Sequence, residues 1–483
     1  MDILFVATEL APLVKIGGLA DVVAALSKAL RQLGHKVTVA LPRFAPIAQS
    51  GLLLARRLTP LTFSMGDGAS SPLEVTVYDG RLGSGVEIVL FDVPGLYDRP
   101  GVYGEEGIDY QDNAWRFAVL SRAAVELVHQ RRSAGAPFDL VHAHDWPAAL
   151  VPVYLRELDG DGAVPTVFTL HNLAHQGIFP RDVMRTIGLG DHLFVPAELE
   201  FYGRVNFLKG GLVAARKLTT VSPTYAAEIQ TPAHGHGLEG VLAARSSDLL
   251  GITNGIDYAT WNPATDPALV ARYDAEDTAN KGRCRTAVLR ELGFPLASPG
   301  PLVLHIGRMV RQKGTDLCLE ILPKLIFAEA TVVLVGDGDP GLVARATEAV
   351  EPFPDQARFI HAAAEPLVHR LFAAADIVLV PSRFEPCGLV QLYGQRYGAL
   401  PVARATGGLS DTIVDCDAAL ETGTGFLFRD ADAQDLLAAT QRALAAYASP
   451  RWPALRRRAM RLDLGWDRPA RRYEQVYRTA IAR

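Results

Sequence analysis

Cysteine is scarce in this chain: 483 residues hold four, Cys284, Cys318, Cys387 and Cys416. None falls in a CxxC pair, which argues against a zinc knuckle, a thioredoxin-like dithiol or a disulfide-stapled scaffold. Reduced thiols in a cytoplasmic protein are the expectation. No apolar run approaches the roughly 18 to 20 residues of a membrane helix. The first apolar stretch breaks at Thr8-Glu9 with no basic residues before it, so neither a secretory leader nor membrane insertion is expected. A long basic block is also missing. With 48 Lys+Arg against 53 Asp+Glu, the net charge is −5, so no positive field is available to gather a polyanion, and nucleic acid is not an expected partner. GxxxxGK[ST] does not occur, which disfavours P-loop ATP hydrolysis.

What the chain does have is a steady alternation of short apolar runs and amphipathic stretches, in a composition 49% hydrophobic and 21% charged. Ile3-Leu4-Phe5-Val6-Ala7 reads as a buried strand, and Leu19, Val22, Val23, Leu26, Ala29 and Leu30 recur at helical spacing after it. Further strands are expected at 36–40, 86–91, 139–143 and 166–170. The same grammar restarts at 302–306, 331–335, 358–360 and 377–380. The expected fold is therefore α/β, with two doubly wound parallel sheets each covered on both faces. Apolar periodicity pauses between the run His234-Gly235-His236-Gly237 and the turn Asn254-Gly255, which places the domains at 1–245 and 246–461. A terminal helix at about 462–483, with Tyr473, Val476, Tyr477 and Ala480 on one face, is expected to pack back on the first domain.

One string occurs once per half: Gly17-Gly18-Leu19-Ala20-Asp21 and Gly407-Gly408-Leu409-Ser410-Asp411. Each would enter a helix, where paired glycines allow close approach and first-turn N–H groups favour an anion. Lys15 precedes the first string and would add a cation, although an isolated loop lysine is ordinarily just solvated. Arg308 and Lys313 follow the strand ending at Ile306. In open α/β sheets that is the end where ligands bind, and an Arg with a Lys suits a phosphate, whereas a merely basic surface loop is the plainer alternative.

Gly336-Asp337-Gly338-Asp339-Pro340-Gly341 has the form GxGxxG, yet the next strand ends in His361 where a dinucleotide fold places an acidic residue, so NAD is not expected. His142 and His144 share one strand face, with His171 and His175 further on. These could ligate a metal or line a sugar cleft. Glu385, in Ser382-Arg383-Phe384-Glu385-Pro386-Cys387-Gly388-Leu389, stands at a helix entrance where the macrodipole favours a carboxylate.

Taken in order and spacing, Lys15 to Asp21, His142 to Trp146, His171-Asn172-Leu173, Ser382 to Leu389 and Thr406 to Leu409 resemble the bacterial glycogen synthase and plant starch synthase family almost end to end. The resemblance implies a GT-B fold with two Rossmann-like domains facing a central cleft. It also implies an enzyme that transfers glucose from ADP-glucose to an α-1,4-glucan with retention and without a metal or other cofactor. Lys15, Arg308 and Lys313 would then hold the diphosphate and Glu385 would be the essential carboxylate beside the donor sugar. His171, Asp145 and Asn254 would contact the glucose, and Gly17, Gly18, Asp21, Cys387, Gly388, Leu389, Thr406, Gly407 and Gly408 would complete the donor site. Tyr393 stands where many related transferases carry a second Glu, which favours the glycogen and starch synthase branch. Ala362-Ala363-Ala364 offers no aromatic to stack on a base. A related transferase using UDP-glucose, or a non-catalytic glucan-binding protein, are the alternatives.

Overall fold

The computed structural model describes residues 1–66, 72–105 and 107–482. The chain forms two compact units, Met1–Ile252 with Trp466–Arg483, and Thr253–Gly465. The change of unit falls seven residues beyond the expected 245, because Leu249–Gly251 joins the first sheet as its edge strand.

In the first unit the parallel strands are β1 (Asp2–Val6), β2 (Lys36–Pro42), β3 (Glu87–Asp92), β4 (Leu140–His144), β5 (Thr166–Leu170), β6 (Lys217–Thr220) and β7 (Leu249–Gly251). They lie in the order β3-β2-β1-β4-β5-β6-β7, and antiparallel strands continue beyond β3. Ile3 to Val6 are fully buried, as expected for a central strand covered on both faces. The helix Gly18–Gln32 buries Leu19, Val22, Val23, Leu26 and Leu30 on its core face. The C-terminal helix Asp467–Ala482 packs against that helix and buries Ala470, Tyr473, Val476, Tyr477 and Ala480, with Tyr473 and Tyr477 lying against His142 of β4.

The second unit contains β8 (Leu302–Ile306), β9 (Thr331–Gly336), β10 (Ala357–His361), β11 (Ile377–Val380), β12 (Leu400–Arg404) and β13 (Phe426–Phe428), all parallel in the order β10-β9-β8-β11-β12-β13. Numbered within its own unit, the second sheet runs 3-2-1-4-5-6, and the parallel strands of the first run 3-2-1-4-5-6-7. Strand order reverses between β1 and β4, and again between β8 and β11, and ligands bind off the carboxyl ends of strands at such switch points. All four cysteines are buried and free. Among the described residues no helix is long and apolar enough to cross a membrane.

Candidate active site

The switch point of the second unit is built by the loops after β8 and β11. After β8, Arg311–Lys313 forms a single 3-10 turn that leads through Gly314 into the helix Thr315–Phe327. After β11 the chain runs Pro381 to Leu389 before entering the helix Val390–Tyr397. Lys313 Nζ donates to Glu385 Oε2 at 2.6 Å, and Ser382 Oγ donates to the same oxygen at 2.8 Å. Glu385 is only 5% exposed. A carboxylate so buried requires such partners, since removing one member of a buried pair costs roughly 3–5 kcal/mol.

The two loops are also locked together along the backbone. Gln312 Nε2 donates to the Phe384 carbonyl at 3.2 Å, the Arg383 N–H donates to the Gln312 carbonyl at 2.8 Å, and Arg383 forms an ion pair with Asp316 at 2.7 Å. Arg308, just after β8, is exposed and has no carboxylate partner among the described residues. A fixed buried carboxylate therefore stands beside one neutralising lysine on a loop that also carries an uncommitted arginine.

The second Gly-Gly string has a different use from the expected one. The Gly408 N–H donates to the Glu385 carbonyl at 3.1 Å, so it is engaged within the protein. A Cβ on Gly407 would come within 2.0 Å of the Glu385 carbonyl oxygen, and one on Gly408 within 2.4 Å of Cys387 Cα. These glycines let the turn after β12 lie directly on the loop that carries Glu385. The N–H groups of Gly388 and Leu389, at the entrance of the helix Val390–Tyr397, have no partner in the described chain, and they form the anion-favouring helix start on this side. Burial pushes the Cys387 thiol up to about 12, which leaves it a small apolar group rather than a nucleophile. Asn254 is buried beside it, and its Oδ1 has no hydrogen-bond partner.

The GxGxxG loop serves as support. Met309 N–H donates to the Asp337 carbonyl at 2.7 Å, and Asp339 N–H returns to the Met309 carbonyl at 2.8 Å. Asp339 caps the helix Pro340–Val350 by accepting from Leu342 N–H, so a side chain already occupies that helix start. The loop thereby braces the Arg308 segment.

In the first unit, the expected phosphate turn is already filled by a carboxylate of the protein itself. Glu9, at the end of β1 and 4% exposed, accepts from the N–H groups of Ile16 and Gly17, both at 2.8 Å. Tyr103 OH donates to its other oxygen at 2.8 Å, and Lys15 forms an ion pair with Asp21 at 2.9 Å. Sequence reasoning missed Glu9. Its only signal was an acidic residue directly behind a buried central strand.

The histidines form a hydrogen-bonded ladder. His142 Nδ1 meets Tyr477 OH at 2.8 Å and its Nε2 meets Thr169 Oγ1 at 2.5 Å, while His144 Nδ1 lies 3.1 Å from His171 Nε2. Desolvation holds His142 and His144 well below the usual imidazole range, and His171 falls to about 3. Among the described residues no group of His, Cys, Asp or Glu has a metal-holding arrangement, so the metal alternative for these histidines gains no support. His175 is exposed. Asp145 opens the turn after β4 in a left-handed conformation, φ 58°, and accepts the His171 N–H at 2.7 Å. Burial first, with the nearby Glu9 charge, pushes its carboxyl up to about 7.

The architecture finds counterparts among known proteins. Residues 2–244 match the family described as starch synthase catalytic domain, and residues 300–446 match glycosyl transferases group 1. Over the full length of both chains, this sequence is 46% identical to a glycogen synthase of Anaeromyxobacter sp. and 42% identical to one of Thioalkalivibrio sulfidiphilus. The catalytic domain of starch synthase IV from Arabidopsis thaliana, solved bound to ADP and acarbose, superposes with a TM-score of 0.92 at 35% identity, covering 100% of this chain and 99% of that one. Sucrose-phosphate synthase from Thermosynechococcus elongatus shares the fold at a TM-score of 0.63 and 19% identity. With its two Rossmann-like sheets in the GT-B pattern, and relatives that span it end to end, the chain belongs to the glycogen and starch synthase family of glucosyltransferases.

Proposed function

We propose that the chain transfers glucose from ADP-glucose to the non-reducing end of an α-1,4-glucan with retention of configuration. The observation that carries this reading is the Glu385–Lys313–Ser382 group at the second switch point, with Arg308 on the same loop. Breaking the bond from the sugar to the diphosphate puts negative charge on the leaving phosphate. Cations held in place before the reaction stabilise that charge without reorganising, typically contributing about 10²–10³-fold per group. Lys313 and Arg308 take that role, helped by the N–H groups of Gly388 and Leu389 at a helix start. Lys15 is the first unit's candidate for the same charge.

Glu385 is the essential carboxylate beside the donor sugar. It accepts both Lys313 and Ser382 on one oxygen, an arrangement that fixes the lysine rather than aiming the carboxylate as a nucleophile. A front-face displacement, in which the departing phosphate takes the acceptor hydroxyl proton, fits a site without a second attacking carboxylate. His171, Asp145 and Asn254 serve as glucose contacts: two desolvated, largely neutral groups and an amide oxygen without a partner, suited to the hydroxyls of an uncharged ring. This scheme assigns no step to a metal. The ADP in the Arabidopsis relative's structure supports the choice of nucleotide, and its acarbose supports a glucan acceptor.

Purified protein incubated with glycogen and either ADP-glucose or UDP-glucose tests the reading. Nucleotide release coupled to glucan growth, faster with ADP-glucose, is expected. Preference for UDP-glucose would refute the donor assignment, and nucleotide release without glucan growth would refute the acceptor.

A further inference from the structure

Neither the fold nor the reaction accounts for Tyr202. The hairpin of Glu200–Phe201 and Arg204–Asn206 pairs Phe201 with Arg204, leaving Tyr202 and Gly203 as a two-residue turn. Both take positive φ, 50° and 77°, as the type I′ turn of a two-residue hairpin requires. Asn or Gly suits the first of these positions, whereas a tyrosine there is strained. Burial of the ring does not offset the strain, because the residue is 81% exposed.

The ring is braced from behind. Phe201 packs edge-to-face on it at 4.7 Å between centroids. The backbone of Gly237 lies against both rings, so that a Cβ there would stand 2.9 Å from Phe201 Cζ and 3.4 Å from Tyr202 Cε2. Gly237 follows His236, a second left-handed non-glycine residue at φ 49°, whose carbonyl accepts from Gln176 Nε2 at 3.1 Å. Gln176 Oε1 in turn accepts from Asn206 Nδ2 at 2.6 Å. Two strained loops thus hold one aromatic ring out of the first unit, on a scaffold that begins five residues beyond His171. Strain that persists where packing does not require it marks a position kept for contact with something else.

We propose that Tyr202 is a stacking platform for a pyranose ring of an α-1,4-glucan, a contact additional to the donor site. This rests on the glucan reading above. A neutral sugar polymer is recognised by an amphipathic ring that offers a flat apolar face together with a hydroxyl. A polyanion would call for clustered cations, and a protein partner for a broader apolar patch than one ring.

Migration of the purified full-length protein in native gels, with and without glycogen and in the absence of any nucleotide sugar, tests this directly. Tyr202→Asn places the preferred residue in the turn, so its melting temperature should equal or exceed that of the unsubstituted protein, while its affinity for glycogen falls roughly tenfold. Tyr202→Trp should keep the retardation. Undiminished retardation of Tyr202→Asn overturns the inference, and so does loss of retardation in Tyr202→Trp at unchanged melting temperature. If the unsubstituted protein is not retarded at all, the glucan reading fails as well; if it is retarded and Tyr202→Asn equally so, only the platform fails.

Discussion

The two units repeat one strand order and reverse their electrostatics at corresponding places. Where β8 and β11 part, Glu385 forms an ion pair with Lys313, and Arg308, on the same loop as that lysine, has no carboxylate partner among the described residues. Where β1 and β4 part, desolvation moves Asp145 and the three histidines toward their neutral forms: Asp145 rises to about 7 and His171 falls to about 3. The Glu9 carboxylate there accepts N–H groups of its own loop. The same fold grammar therefore carries an ion-paired buried carboxylate in one unit and a desolvated, hydrogen-bonding histidine cluster in the other. Strand order determines where a ligand binds. The few residues at the strand ends determine its chemistry.

The comparison breaks most readily at the charged site. Lys313→Ala removes the cation and leaves Glu385 buried without it, and transfer to glycogen should fall about 10³-fold, near 4 kcal/mol of transition-state stabilisation. Steady-state rates at saturating donor read this out. A loss below tenfold would mean that Lys313 only supports the fold.

Next in size is an acid response belonging to the first unit. His142, His144 and His171 have folded pKa values depressed below 6.5, so their contribution to stability is complete above 6.5 and is lost as pH falls below it, for His171 down to about 3. Each histidine kept neutral adds a slope of about 1.4 kcal/mol per pH unit within that window. Thermal melts between pH 7.5 and 5 should show the first unit's transition dropping steeply. A flat profile would place these imidazoles in contact with water.

Gly408→Ala probes the packing behind the charged site. Its new Cβ would run into the Cys387 backbone and shift the loop that carries Glu385. Overpacking of this kind costs about 1–3 kcal/mol, and transfer should fall 10- to 100-fold. Unchanged kinetics would show that the loop tolerates displacement. The smallest expected effect is at Asp145, whose raised pKa stabilises the fold below about 4 and loses that contribution as pH rises to about 7. Asp145→Asn should gain stability relative to the unsubstituted protein over that window, on the order of 1–2 kcal/mol by chemical denaturation.

Strands and amphipathic helices were legible in the sequence because their periodicity is local. Ile3 to Val6 or Leu302 to Ile306 can hardly be anything but central strands. Glu385 was expected at a helix entrance, but the helix begins only at Val390, five residues further on, so that local signal set the helix start too early. What joins Glu385 to Lys313 was not legible, since the two stand 72 residues apart and meet only once β8 and β11 lie side by side. The Gly407-Gly408 string was read as an open anion cradle, and its true neighbour, the Glu385 carbonyl, depends on that same sheet. Glu9 went unread because a buried acid leaves no pattern in the sequence. Its partners, Ile16 and Gly17, become visible only when the loop closes on it.

The central claim is that Glu385 at the charged switch point is the carboxylate on which transfer depends. Glu385→Gln keeps the shape and can still accept from Lys313, so the fold and ADP binding should survive. ADP affinity by calorimetry and the rate of glucose incorporation into glycogen from ADP-glucose, measured on the same preparation, decide the matter. Near-normal ADP binding with incorporation reduced at least 10³-fold is the predicted result, and incorporation within tenfold of the unsubstituted protein would contradict it.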